Sequence, residues 1–63
     1  MRMKLKKARK EAGLTQQQMA DKLDISLRYY QQMEAGSRTG DFIIWDTLED
    51  LLMVHQRILR ELL

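Results

Sequence analysis

The sequence predicts an all-α domain of four or five helices, and three observations support this prediction. Proline is absent from the 63 residues and glycine occurs only three times, so few residues interrupt a helix. Apolar side chains recur every three or four positions along most of the chain, as they do on one face of a helix. Residues that favour helix starts and ends lie between these stretches. A chain of this length forms one small domain, over residues 1–63.

The first helix is predicted from about Met3 to Ala12. Leu5 and Ala8 lie on one side of it, and lysines occupy the others. Gly13 follows the last periodic residue, and a glycine in this position usually ends a helix.

Two short helices follow, separated by only a few residues. Thr15 can cap the first of them, since Gln18 stands three residues later at the spacing of a capping box. Ser26 can cap the next, which should run from Leu27 to about Glu34 and end at Gly36. Such a closely spaced pair is a helix-turn-helix.

The last third of the chain, 41–63, allows two interpretations. Asp41 should cap a fourth helix, and the apolar periodicity continues beyond Leu52. The chain could therefore form one helix to its end, or turn near Met53 to His55 and begin a fifth helix at Gln56. A small domain has difficulty covering all these apolar side chains, so we expect a self-association face. This predicted face consists of Leu48, Leu52, Ile58, Leu59 and Leu62.

Charge is distributed unevenly along the chain. Residues 1–40 hold nine Lys and Arg and four acidic residues, a net charge of +5, whereas residues 41–63 hold two and five, a net charge of −3. The first part could therefore face an anionic partner. Cysteine is absent and histidine occurs once, so disulfides, thiolate zinc sites and other metal sites are not expected. A lone histidine among carboxylates does not make a catalytic site, and no enzyme activity or cofactor is predicted.

No apolar run approaches the roughly 20 residues that cross a bilayer. We therefore expect a protein that does not enter the membrane and that works in the cytoplasm.

The segment RKEAGLTQQQMADKLDISLRYYQQMEAG resembles the DNA-binding motif of the Cro and phage-repressor family, also called the xenobiotic-response-element family of small bacterial regulators. The resemblance extends over about Leu5 to Leu52. It rests on Arg9, Gly13-Leu14-Thr15-Gln16, Ala20, Leu23, Ile25-Ser26, Glu34 and Gly36. It implies a lambda-repressor-like fold with the motif at about 15–35, and binding to double-stranded DNA.

The resemblance also implies roles for individual residues. The second helix of such a pair enters the major groove. Base-reading positions correspond to Leu27, Arg28 and Gln32, with Gln31 at the edge of the groove. Arg28 suits guanine, Gln32 suits adenine and Leu27 suits a thymine methyl group. Phosphate contacts are expected from Gln16, Gln17, Tyr29, Ser37 and Arg38. For Tyr29 the alternative is a partly buried ring that covers the first helix.

Other matching residues are expected to be structural. Arg9 and Glu34 correspond to an ion pair that fixes the reading helix against the first helix. The other basic residues near the start of the chain are Arg2, Lys4, Lys6, Lys7 and Lys10. We expect most of them to lie on a solvated helix face. Asp24 stands where the family often has glycine. The segment 53–55 corresponds to the family's usual Gly-Val-Ser break, which favours the interpretation with a fifth helix.

The sequence therefore predicts a sequence-specific transcriptional regulator, a Cro-type repressor of phage or mobile-element origin that binds a two-fold DNA site as a homodimer. No small-molecule effector is predicted, because a chain this short resembles a stand-alone regulator. In a bacterial cell it would lie on the nucleoid. The alternative is a protein-binding adaptor or antirepressor, or an antitoxin, that uses the same fold.

Overall fold

The structure is a computed structural model that describes residues 1–61, and within them it shows five helices and no strand. The helices are α1 (Met3–Glu11), α2 (Gln16–Leu23), α3 (Leu27–Ala35), α4 (Phe42–Leu52) and α5 (Gln56–Arg60). The predicted all-α fold is confirmed. None of these helices has the length and apolar character needed to cross a membrane.

Side-chain caps begin the helices where the sequence indicates. Thr15 Oγ1 accepts the Gln18 N–H at 3.0 Å and Gln18 Oε1 accepts the Thr15 N–H at 2.9 Å, which together form the predicted capping box. Ser26 and Asp41 each accept the N–H of the residue three positions later, at 3.0 Å and 2.9 Å. Local sequence therefore fixes where α2, α3 and α4 start.

Helix ends follow the predicted positions within one residue. α1 ends at Glu11 and α3 at Ala35. Gly13 and Gly36 follow these ends with φ of 74° and 89°, in the left-handed region that glycine adopts easily. Asp24, which stands in place of a glycine, takes the same region with φ of 57°. An aspartate tolerates this conformation better than most residues do.

The core lies where all five helices meet. It consists of Leu5, Met19, Ala20, Tyr30, Met33, Ile44, Trp45, Leu48 and Leu59. The Trp45 indole donates to the Thr39 carbonyl at 2.6 Å, so its N–H has a partner inside the domain. Gly40 passes close to this ring: a Cβ there would lie 2.9 Å from Met33 Cε and 3.1 Å from Trp45 Nε1. The loop between α3 and α4 therefore requires glycine at this point.

A turn separates α4 from α5, as the family-based interpretation predicted. Met53 adopts φ of 55°, and His55 Nδ1 accepts the Arg57 N–H at 3.1 Å. Glu49 Oε2 accepts the Gln56 N–H at 2.7 Å and places a carboxylate at the start of α5. Negative charge is favourable at a helix N-terminus, and this contact stabilises the turn.

The predicted self-association face is wrong at two of its residues. Leu48 and Leu59 are completely buried within the domain, because α5 packs on both α1 and α4. Neither can contact a second molecule directly. Leu52 is half-buried and Ile58 is 48% exposed, so these two remain available. Leu62, the fifth residue of that prediction, lies outside the described residues.

Candidate nucleic-acid interface

Helices α2 and α3 form the helix-turn-helix and pack directly on each other. Their connection is 24–26, in which Asp24 provides the left-handed residue and Ser26 caps α3. The Ile25 N–H donates to the Ala20 carbonyl at 3.0 Å, so the turn is also tied to the end of α2. The angle between the two helices is therefore set by the turn as well as by the core.

Helix α3 has a buried side and an exposed side. Tyr30, Met33 and Glu34 are buried against the rest of the domain. Arg28 and Gln31 are exposed. Three residues at the edges of this face are half-buried. They are the predicted base readers Leu27 and Gln32 and their neighbour Tyr29. Glu34 is the helix's single acidic residue, so the exposed side of α3 carries no carboxylate.

Arg9 and Glu34 form a buried ion pair between α1 and α3. Arg9 Nε donates to Glu34 Oε2 at 2.8 Å and Arg9 Nη2 donates to Glu34 Oε1 at 3.1 Å. Their side chains are only 8% and 4% exposed. Arg9 Nη1 also donates to the Leu14 carbonyl at 2.8 Å. This bidentate geometry holds α3 at a fixed position against α1.

The pKa values of both partners and of the neighbouring Tyr30 are shifted from their ordinary values. The hydrogen bond to Glu34 raises the pKa of Arg9. Burial by itself would raise the pKa of Glu34, but the hydrogen bonds and charge of Arg9 outweigh it, so the Glu34 pKa lies below its ordinary value. Burial, and then the nearby Glu34 carboxylate, raise the pKa of the Tyr30 hydroxyl. All three groups keep their ordinary charge states at neutral pH.

Gln16 connects the ion pair to the exposed side of α3. Its Nε2 donates to Glu34 Oε1 at 3.3 Å, and its Oε1 accepts from Gln31 Nε2 at 3.2 Å. Gln17 lies on the same turn but donates along α2 to Asp21 at 2.9 Å. The structure thus brings Gln16 into contact with α3, whereas the Gln17 side chain bonds within α2.

A second cluster joins α3 to the loop that follows it. The Arg38 guanidinium lies 4.5 Å from the centroid of the Tyr29 ring, and its Nε donates to Gln32 Oε1 at 2.9 Å. Ser37 Oγ donates to the Gln32 carbonyl at 3.3 Å. Two of the predicted phosphate-contacting residues, Ser37 and Arg38, therefore bond to the predicted base reader Gln32, and a third, Tyr29, stacks on Arg38.

Arg2 has a structural role that the sequence-based interpretation missed. Its Nη1 donates to the Met33 carbonyl at 2.6 Å and to the Arg38 carbonyl at 2.8 Å, and its guanidinium lies 5.1 Å from the centroid of the Trp45 ring. Burial lowers the Arg2 pKa, and the charge of Arg60 lowers it further. The expected solvated helix face is therefore wrong for Arg2. No local signal marks this role, because its partners lie more than thirty residues away along the chain.

Comparison with known proteins agrees with this geometry. The family described as helix-turn-helix matches residues 5–54. The chain is 46% identical over 50 residues to the protein named "Uncharacterized HTH-type transcriptional regulator YqaE" of Bacillus subtilis (strain 168). This match covers 79% of the chain but only 43% of that relative, so the chain corresponds to less than two thirds of it. No solved structure gives a significant match.

Proposed function

We propose that this chain, which belongs to the Cro/C1-type helix-turn-helix family, is a DNA-binding transcriptional regulator that reads duplex sequence with α3. The observation that supports this most directly is the exposed side of α3, which offers arginine and amide groups and no carboxylate. The buried Arg9–Glu34 pair holds that side rigidly from behind. A rigid helix with hydrogen-bonding side chains suits the major groove.

Base reading is assigned to Leu27, Arg28, Gln31 and Gln32. Arg28 is the principal reader, since it is exposed and no hydrogen bond or ion pair holds its guanidinium within residues 1–61. Its guanidinium is free to make two parallel hydrogen bonds to guanine. Leu27 supplies an apolar contact suited to a thymine methyl group.

Phosphate contacts are assigned to residues on both sides of α3. On one side is the start of α2, where the backbone N–H groups of Gln16 and Gln17 lie at the positive end of a helix. On the other side is the cluster of Tyr29, Ser37 and Arg38. Such contacts orient a protein on the duplex without specifying its sequence.

The finer proposal is a Cro-type repressor of phage or mobile-element origin, which acts as a homodimer and blocks transcription by occupying a two-fold site. Paired reading helices would then meet successive turns of the major groove. Leu52 and Ile58 remain the candidates for the contact between subunits, because both retain exposed surface. Binding to DNA would place the protein on the nucleoid, in the bacterial cytoplasm, and neither a cofactor nor a small-molecule effector is needed.

The test is selection of bound duplexes from a random pool, followed by titration at several salt concentrations. We expect a recovered half-site repeated with two-fold symmetry, and an affinity that falls steeply with salt because phosphate contacts release counterions. Failure to retain any duplex at low ionic strength would reject DNA binding. Recovery of single, unrepeated sites would reject the two-fold dimer alone.

The exposed apolar side chains favour a second candidate function, a protein-binding adaptor or antirepressor, or an antitoxin. Phe42, Ile43 and Met53 are 75%, 77% and 90% exposed, so they offer apolar surface that a partner protein could cover. A stable complex with another protein, together with no salt-sensitive shift of duplex fragments, would favour the adaptor. An antitoxin would show both activities.

A further inference from the structure

Two neighbouring glutamines on α3 bond to different partners, and one side chain donates whereas the other accepts. Gln31 uses its Nε2 to donate to Gln16, at 3.2 Å. Gln32 instead uses its Oε1 to accept from Arg38 Nε, at 2.9 Å. Gln31 therefore keeps its carbonyl oxygen free, whereas Gln32 keeps its amide N–H groups free. The two residues are identical in sequence but not in what they offer to a base.

The chemistry of Arg38 fixes the orientation of the Gln32 amide. A guanidinium has only donors, so the amide atom beside it must be the oxygen. Arg38 is itself held in place, because its side chain stacks on Tyr29 and its backbone carbonyl accepts from Arg2. Turning the amide around would place Nε2 against the guanidinium and lose a charge-assisted hydrogen bond.

The buried ion pair fixes the orientation of the Gln31 amide in the same way. The Glu34 carboxylate only accepts, so Gln16 must turn its Nε2 towards it and its Oε1 towards Gln31. Gln31 must then donate. The orientation of both amides on α3 is therefore fixed, and a separate hydrogen-bond network fixes each of them.

A glutamine recognises adenine by accepting from N6 and donating to N7, whereas guanine presents two acceptors, N7 and O6. Within residues 1–61, Gln32 Nε2 makes no hydrogen bond, so both of its N–H groups can donate to a base. Its Oε1 already accepts from the Arg38 cation with one of its two lone pairs, and a second donor such as adenine N6–H would have to approach this oxygen beside the positive charge of Arg38. We infer that Arg38 makes Gln32 a hydrogen-bond donor that selects guanine over adenine in the base pair it faces. This inference rests on the proposed function. It replaces the preference of Gln32 for adenine, which the sequence predicted, with a preference for guanine.

The experiment starts from the half-site selected by the unmodified protein. The variant Gln32→Ala identifies the base pair that Gln32 faces, as the one where discrimination is lost. Four duplexes that differ only at that pair are then compared by competition binding. We expect the unmodified protein to prefer guanine to adenine by at least roughly fivefold, the lower end for a good base contact.

The decisive variant is Arg38→Met, which frees Gln32 Oε1. We expect its guanine-to-adenine ratio to fall by at least roughly fivefold, with discrimination at the other pairs retained. Lys10→Met is the charge-matched control, since it removes the same positive charge from an exposed position on a different helix, α1. It should leave the ratio unchanged even if it weakens binding. Far-UV circular dichroism verifies that each variant is helical.

The outcomes separate this inference from the proposed function. A chain that binds no duplex at low ionic strength overturns both. A chain that binds and prefers adenine at the Gln32 pair overturns the inference alone, whether or not Arg38→Met folds. An equal loss of affinity for all four duplexes in Arg38→Met also overturns it, because that result is expected from a phosphate contact.

Discussion

Removing one partner of the Arg9–Glu34 ion pair should destabilise the domain severely, and in a way that depends on pH. In Arg9→Met the Glu34 side chain, 4% exposed, would lose both hydrogen bonds from the guanidinium and keep only the contact from Gln16 at 3.3 Å. Stranding a buried charge costs about 3–5 kcal/mol. A domain of this size has a total stability of about 3–9 kcal/mol. The variant should therefore be close to unfolding at neutral pH.

The pH dependence follows from the two pKa shifts of Glu34. In the unmodified protein its pKa lies below the ordinary value of 4.5, so the stabilisation by the pair is complete above that pH and is lost as the pH falls through the lowered pKa. Without Arg9, burial remains and raises the pKa of Glu34. The variant should therefore gain stability as the pH falls from neutral towards the raised pKa, in the opposite direction to the unmodified protein.

Urea unfolding followed by circular dichroism at several pH values measures both effects. Lys7→Met is the matched control on the same helix, because it breaks the exposed pair with Glu11 at 3.9 Å, which is worth at most about 0.5 kcal/mol. The double variant Arg9→Met with Glu34→Gln should recover part of the loss, since it leaves no unpaired charge. If Arg9→Met costs no more than Lys7→Met, or if its deficit is the same at pH 7 and pH 5, the pair does not act as a buried compensated charge.

Three further predictions concern the reading face, the core and a loop. Arg28→Ala should weaken binding to the selected duplex by about 1–3 kcal/mol and leave non-specific binding nearly unchanged in competition titrations; equal losses would make Arg28 a phosphate contact. Leu59→Ala should lower the free energy of unfolding by about 2–5 kcal/mol, whereas Ile58→Ala, at a half-exposed position, should cost the monomer much less; similar losses in urea unfolding would contradict the assignment of Leu59 to the core. Gly40→Ala should cost about 1–3 kcal/mol, because φ is +80° and the new Cβ would lie 2.9 Å from a buried methionine methyl group; Gly13→Ala, which is strained at φ +74° but has open space, should lower the thermal midpoint less.

Sequence alone determined the first three helices and the start of α4, because these depend on interactions between residues close together in the chain. The turn that ends α4 and begins α5 was favoured only through resemblance to a family. Thr15, Ser26 and Asp41 each cap a helix by accepting an N–H three residues away. A capping side chain needs no distant partner, so its role can be recognised from its neighbours. The Arg9–Glu34 pair, which spans 25 residues, was predicted only through resemblance to a family.

Tertiary structure decided which side chains are covered and which remain available. Apolar periodicity placed Leu59 and Ile58 on one predicted face, but the packing of α5 on α1 buries the first and leaves the second half-exposed. The roles of Arg2 and of the Arg38–Gln32 contact depended in the same way on the folded chain. Helical periodicity gives the direction of a side chain around its own axis. It contains no information about which other helix meets that side, so burial and amide orientation are fixed only when the helices pack.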